Sequence, residues 1–156
     1  MLKGARAMQR YHYTECGLDN VILEGVTFVK DADGEETICI PRINQLHKVI
    51  AKGIINRPAG MSGKELRFLR TEMGMTQAQL AELLHRDAQS IARWEKGEVE
   101  IDGNAETVVR LLASEKLGIE REGDIEALAR KSVARAGAHE IIIEKTKDNS
   151  YRLKVA

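Results

Sequence analysis

Ser62–Gly97, SGKELRFLRTEMGMTQAQLAELLHRDAQSIARWEKG, decides the fold of this chain, because it spells three short helices separated by two tight breaks. Ser62 with Glu65 three residues later forms a capping box that opens the first helix. Leu66, Leu69 and Met73 follow at helical spacing, and Gly74 supplies a left-handed stop. Thr76 with Gln79 repeats the capping box, and Leu80, Leu83 and Leu84 are expected to share the inward face of the second helix. Asp87 is a good N-cap for a third helix, which turns Ile91 and Trp94 inward and stops at Gly97. The opposite face of that helix carries Gln89, Ser90 and Arg93. Gln and Arg are the side chains that bond adenine and guanine edges in a bidentate way in the major groove, so this face points to sequence-specific DNA binding.

From Leu69 to Gly97 the string LR-x3-G-x-TQ-x-x-LA-x-x-L-x6-I-x-x-WE-x-G resembles the lambda-repressor-like (Cro/cI, XRE-type) helix-turn-helix family. The resemblance covers about a quarter of the 156 residues, or a third with a following helix. It implies that Gln77, at the start of the second helix, contacts a backbone phosphate. It also places base reading on Asp87, Ala88, Gln89, Ser90 and Arg93, and an internal ion pair on Arg70 and Glu95. Lys96 is a candidate phosphate contact, although a lysine late in a helix also suits the helix dipole. Gln89 and Arg93 compete with a reading as ordinary surface residues; their place on the outer face of a capped third helix favours base contact. Trp94 shares a face with Ile91 and is expected in the core rather than as a stacking platform. One departure from the family pattern is the acidic loop after the third helix, Glu98-Val99-Glu100-Ile101-Asp102, where these repressors often carry basic residues.

The net charge of zero suits DNA binding only once it is divided along the chain. Residues 42–70 carry Arg42, Lys48, Lys52, Arg57, Lys64, Arg67 and Arg70 against Glu65 alone. Residues 98–126 carry nine acids against three bases, and residues 127–156 seven bases against three acids. Phosphate attraction depends on local charge, so the 42–70 block is either an electrostatic aid to DNA binding or a solvated face. An apolar content of 43% with only two prolines argues against global disorder. No apolar run reaches membrane-spanning length, and the basic start MLKGARAMQR lacks a following apolar segment, so a cytoplasmic protein without a membrane partner is expected. Two cysteines, Cys16 and Cys39, are too few for a disulfide framework.

Before the helical segment, Val21–Leu23, Val26–Lys30 and Thr37–Ile40 are strand-like, with turn signals at Gly17, Asp19-Asn20, Glu24-Gly25 and Asp33-Gly34. Pro41 sits at a favoured first helical position, opening an amphipathic helix with Ile43, Leu46, Val49, Ile50 and Ile54 inward. Residues 56–61 are the evident linker. After Gly97, a helix from about Gly103 to Lys116 is expected to turn Val108, Leu111 and Leu112 inward and to end at Gly118. Asp124 caps a further helix carrying Ile125, Leu128, Ala129 and Val133, closed near Gly137. Glu140–Thr146 and Ser150–Val155 then form a hairpin around Lys147-Asp148-Asn149. The expected architecture is mainly α with α+β additions. A small N-terminal β-plus-helix module (11–57) precedes a helix-turn-helix domain (62–117), and a C-terminal helix with a β-hairpin (124–156) follows.

The layout is similar to that of MqsA-type antitoxins, which place a zinc ribbon before a similar helix-turn-helix. Their two Cys-x-x-Cys pairs are here Tyr13-Thr14-Glu15-Cys16 and Glu36-Thr37-Ile38-Cys39. A structural zinc site needs four ligands, and Cys16, Cys39, His12 and His47 have no zinc-knuckle spacing, so neither metal nor another cofactor is expected. His85 and His139 are expected on the surface. The chain lacks a P-loop, a dinucleotide glycine fingerprint, a nucleophile elbow and a metalloprotease motif, and is read as a regulator rather than an enzyme. The expected function is that of a homodimeric (auto)repressor on a palindromic double-stranded operator. The alternatives are an antitoxin that also binds a toxin, or an RNA-binding or scaffolding module that kept the fold without reading DNA. The apolar strands after Gly137 and the fourth helix are both candidates for the pairing surface.

Overall fold

The computed structural model describes residues 6–132 and 139–154. Strands β1 (Arg6–His12), β2 (Val21–Lys30) and β3 (Glu36–Cys39) precede helices α1 (Ile43–Asn56), α2 (Gly63–Glu72), α3 (Gln77–Leu84), α4 (Ala88–Glu95), α5 (Gly103–Leu117) and α6 (Ile125–Ser132). Strands β4 (Ile141–Lys145) and β5 (Tyr151–Leu153) close the described chain, so the fold is mainly α with β additions. The expected positions Val133, Gly137 and Val155, and the first five residues of the basic start, lie outside the described residues. The chain divides into two units, residues 1–50 with 139–156, and residues 51–138; the division falls within α1.

The first unit is built around β2. One edge of β2 pairs antiparallel with β1, from Ile22 opposite His12 to Phe28 opposite Arg6. The other edge pairs first in parallel with β4, Val21 to Glu24 opposite Ile141 to Glu144, and then antiparallel with β3, Thr27 to Lys30 opposite Cys39 to Glu36. β4 and β5 form the expected hairpin, and its β4 strand joins the N-terminal strands in one five-stranded sheet. The sequence pattern identifies β2 to β5, but neither β1, most of which lies before the expected module, nor that pairing. Glu24-Gly25 is not the turn it suggests. Gly25 lies inside β2 at φ +80°, unpaired between Glu24 opposite Arg10 and Val26 opposite Gln9. It is a bulge, which is the usual meaning of a lone glycine within a strand. A Cβ there would sit 2.7 Å from the Lys145 carbonyl oxygen.

Asp33-Gly34 does form the β2–β3 turn, with Gly34 at φ +82° and the Asp31 carboxylate accepting from the Asp33 and Glu35 amides at 2.9 and 3.0 Å. Val21, Leu23 and Val26 of β2, Ile141 and Ile143 of β4, Tyr13, Leu18 and Tyr151 are buried, with Leu46 and Ile50 of α1. Pro41 is not the first helical residue. Arg42 follows it at φ +52°, α1 begins at Ile43, and the Pro41 carbonyl accepts from the Tyr151 hydroxyl. Ile43 is therefore exposed rather than inward.

In the second unit the residues expected to be a linker are core. Ala59 and Met61 are buried, and the Asn56 side chain donates to the Glu120 carbonyl and accepts from the Glu122 amide at 3.1 and 2.8 Å. Arg57 forms a bidentate pair with Glu65 and donates to the Gly60 carbonyl at 3.1 Å. Arg110 of α5, 0% exposed, explains why such a segment can be buried. Its guanidinium donates to the carbonyls of Ile55 at 2.7 Å and Arg57 at 3.0 Å, reaches those of Ile54 and Ala59, and pairs with Glu106 at 3.2 Å. Glu106 in turn accepts from the Met61 amide at 2.6 Å. Buried carbonyls at a helix end need donors, and one planar guanidinium supplies them.

The same cluster sets the rotation of α5. Its buried positions are Ala105, Glu106, Val109, Arg110, Ala113 and Ser114. Val108, expected inward, is 42% exposed, and Leu111 and Leu112 are half-buried. An ion pair with i,i+4 spacing on the inner face overrides the apolar stripe. Leu83 of α3 and Ile125 of α6 are also exposed against expectation, whereas Leu80 and Leu128 are buried. Asp124 caps α6 through the Ala127 amide at 2.9 Å.

Candidate nucleic-acid interface

Three caps fix the helices that surround the candidate interface. Ser62–Glu65 and Thr76–Gln79 both form reciprocal capping boxes, and Asp87 accepts from the Ser90 amide at 2.7 Å at the start of α4. The helices stop at left-handed Gly74 and Gly97, as their sequence suggests. α3 instead ends on His85 at φ +56°, a position the residue type does not announce. Asx residues and glycine are the usual occupants of that conformation.

The packing of α2 against α4 depends on the absence of a side chain at Gly63. A Cβ there would lie 2.2 Å from the Trp94 carbonyl oxygen and 2.7 Å from that of Glu95, so the first turn of α2 meets the last turn of α4 backbone to backbone. The expected Arg70–Glu95 pair is present and bidentate, with Nε–Oε2 at 2.6 Å and Nη2–Oε1 at 3.0 Å. Arg70 Nη1 also donates to the Met75 carbonyl at 2.9 Å, and the Gln77 amide donates to Glu95 Oε1 at 3.1 Å. Glu95 thus joins its own helix α4 to α2 and α3, each through a polar contact short enough to fix register.

On this frame α4 turns Ile91 and Trp94 inward, at 0% and 5% exposure, and leaves Ala88, Gln89 and Arg93 exposed. Gln89 and Arg93 stand one turn apart on the same side. Ser90 is half-buried, and its hydroxyl donates to Asp87 Oδ1 at 2.9 Å. The Ser90 amide, and then its hydroxyl, hold the Asp87 carboxyl below its usual range. Asp87 therefore faces its own helix, with Oδ1 engaged by both the Ser90 amide and its hydroxyl. Lys96 is exposed at the C-cap of α4, and Gln77 is half-buried at the start of α3.

The basic block is smaller than its composition implies. In the second unit Arg57 and Arg70 are held by Glu65 and Glu95, while Lys52, Lys64 and Arg67 are exposed. Sequence reasoning missed Arg86, which precedes the Asp87 cap. Its guanidinium lies 5.5 Å from the centroid of the Trp94 ring and pairs with Asp102 at 2.9 Å. No local pattern announces this pair, since its members are separated by α4.

Three of the four candidate zinc ligands engage other groups. His12 Nε2 bonds the Asp19 carbonyl, His47 Nε2 shares a hydrogen bond with the Tyr13 hydroxyl at 2.9 Å, and the Cys16 thiol lies 3.6 Å from the Tyr13 carbonyl. Cys39 is exposed. Among the described residues no group of three or more His, Cys, Asp or Glu side chains is placed to hold a metal ion. No described helix is long and apolar enough to cross a membrane.

Residues 66–111, from α2 into α5, match the family described as Helix-turn-helix. This segment is a helix-turn-helix domain. It is of the XRE, lambda-repressor-like type, a DNA-binding class, and so supports a regulator that binds DNA through this segment. Comparison with curated proteins and with solved structures returned no match.

Proposed function

We propose that the chain is a sequence-specific repressor that binds a two-fold symmetric operator as a homodimer and reads it through α4. The observation that carries this reading is the pairing of Gln89 and Arg93, exposed one turn apart on a helix whose other face is anchored by Ile91 and Trp94. Their chemistry matches adenine and guanine edges respectively. Asp87 has its carboxylate engaged by Ser90 and serves the helix rather than a base. Gln77 holds a phosphate, with Glu95 orienting its amide. Ala88 packs near a thymine methyl or the sugar, and Lys96 adds a phosphate contact. One short helix covers few base pairs, and non-specific affinity of about 10⁻⁴–10⁻⁶ M is too weak for regulation, so two copies on half-sites about one helical turn apart supply the remainder.

The test measures affinity for a set of single-base operator variants at fixed salt. Arg93→Ala is expected to cost about 1–3 kcal/mol on the operator and to flatten preference at one base pair. Gln77→Ala is expected to weaken all sequences alike. An Arg93→Ala protein that keeps both its affinity and its base preference, while still folded, refutes the assignment of α4. A protein that remains monomeric at micromolar concentration, free and on its best duplex, refutes the dimer.

A further inference from the structure

Arg86 occupies the turn between α3 and α4, next to the α4 cap. Its guanidinium lies over the Trp94 ring, 5.5 Å from the centroid, and its Nη2 donates to Asp102 Oδ2 at 2.9 Å. Asp102 immediately precedes α5, where an aspartate ordinarily accepts from the amides of its own first turn. It makes no such bond. Its carboxylate faces Arg86 instead. One side chain therefore connects the turn that opens α4 with the loop that follows it, across the buried ring that anchors the helix.

We propose that Arg86 is a positioning residue for base reading: together with Asp102 and Trp94 it fixes how α4 presents Gln89 and Arg93, and it does so without contacting DNA. The proposal rests on the reading of α4 as the recognition helix. Electrostatics make it distinguishable from two simpler roles. Asp102 ends an acidic loop with Glu98 and Glu100, and an acid near phosphates weakens binding, so an electrostatic role predicts tighter binding when Asp102 is neutralised. A positioning role predicts the opposite. A phosphate contact from Arg86 would add about one unit to the salt dependence and would act on all sequences equally.

The experiment selects the tightest duplex from a randomised pool with the wild-type protein. Affinities for that duplex and for a scrambled duplex of equal composition are then measured across several salt concentrations. The proteins compared are wild type, Arg86→Gln, Arg86→Lys and Asp102→Asn. Arg86 and Asp102 are 44% and 39% exposed, so the variants remain folded, which Trp94 fluorescence and circular dichroism verify. Arg86→Gln and Asp102→Asn are each expected to lower the selected-to-scrambled ratio by about three- to tenfold, the reach of an exposed ion pair plus a cation–π contact. The loss falls on the selected duplex, and the salt slope stays constant. Arg86→Lys is expected to retain most of the ratio, because an ammonium also pairs with a carboxylate and lies over a ring.

The proposal is overturned if the ratio is unchanged in Arg86→Gln, or if Asp102→Asn binds both duplexes more tightly. It is equally overturned if Arg86→Gln weakens both duplexes alike with a shallower salt slope. A wild-type protein that selects no duplex removes the recognition-helix reading itself, and this proposal falls with it. A selected duplex with indifferent variants removes only the proposal.

Discussion

Replacing Arg110 with methionine keeps most of the side-chain volume and removes the charge together with all its donors. Removing one member of a buried ion pair costs about 3–5 kcal/mol, and each buried carbonyl left without a donor adds about 1–3 kcal/mol. Arg110 serves Glu106 and the carbonyls of Ile54, Ile55, Arg57 and Ala59. Counting the ion pair and a single orphaned carbonyl gives about 4–8 kcal/mol, most of what a domain of this kind has available. The pH dependence is a second signature. Burial already raises the Glu106 carboxyl above its usual range, while the Met61 amide and Arg110 oppose that rise. Without Arg110 the folded-state value rises further above the unfolded one. Such a group contributes stability below its unfolded pKa and loses it as pH rises through the folded pKa. The deficit of Arg110→Met is therefore larger at about pH 8 than at about pH 5. Trp94 is the only tryptophan in the chain and is buried in the same unit, so its fluorescence in urea follows this unfolding. A deficit under about 2 kcal/mol, or one that does not shrink on acidification, refutes the assignment of Arg110 as the donor that allows residues 54–61 to be buried.

Gly63→Ala places a methyl 2.2 Å from the Trp94 carbonyl oxygen. It should destabilise by about 1–3 kcal/mol or more in the same urea titration, despite alanine's better helix propensity; a stabilised variant would show that the two helices separate at no cost. Asp87 has a depressed carboxyl, so its capping contribution is present above the ordinary Asp range and is lost as pH falls through the lower folded value. Asp87→Asn keeps an acceptor for the Ser90 amide and should flatten the acid limb of the stability profile while leaving neutral stability nearly unchanged, as thermal melts from neutral pH down to below the ordinary Asp range would report.

The helix-turn-helix was legible because its signals are local. Ser62, Thr76 and Asp87 each cap within three residues, and Gly74 and Gly97 stop helices where they stand. Arg70–Glu95 was legible only through family resemblance, since 25 residues separate the pair. What escaped is non-local or opposes a local rule. The parallel pairing of Val21 with Ile141 leaves no trace in the periodicity of either strand. The rotation of α5 is set by Arg110, whose partners are carbonyls of a segment that composition marks as a linker. Gly25 looked like a turn because a bulge and a turn need the same φ. Of the candidate interface, the exposed pair Gln89 and Arg93 followed from spacing alone, whereas Arg86 depends on a loop across the helix and could only be found in three dimensions.

The parallel ladder between β2 and β4 has a consequence for how the chain is made. Residues 21–24 leave the ribosome well before residues 141–144, so the sheet's β2–β4 edge stays vacant while everything between is synthesised. The helices from α2 to α5, whose caps and ion pairs all close within that interval, have what they need to fold first. Until Ile141–Glu144 emerge, the first half of β2 presents unsatisfied amides and carbonyls beside Val21 and Leu23, the kind of open strand that pairs with other chains. A message truncated after α6 would thus yield a helical unit with its caps in place and a sticky, incomplete sheet. Such a product would be an obvious client for chaperones and proteases, which would remove it before it accumulated.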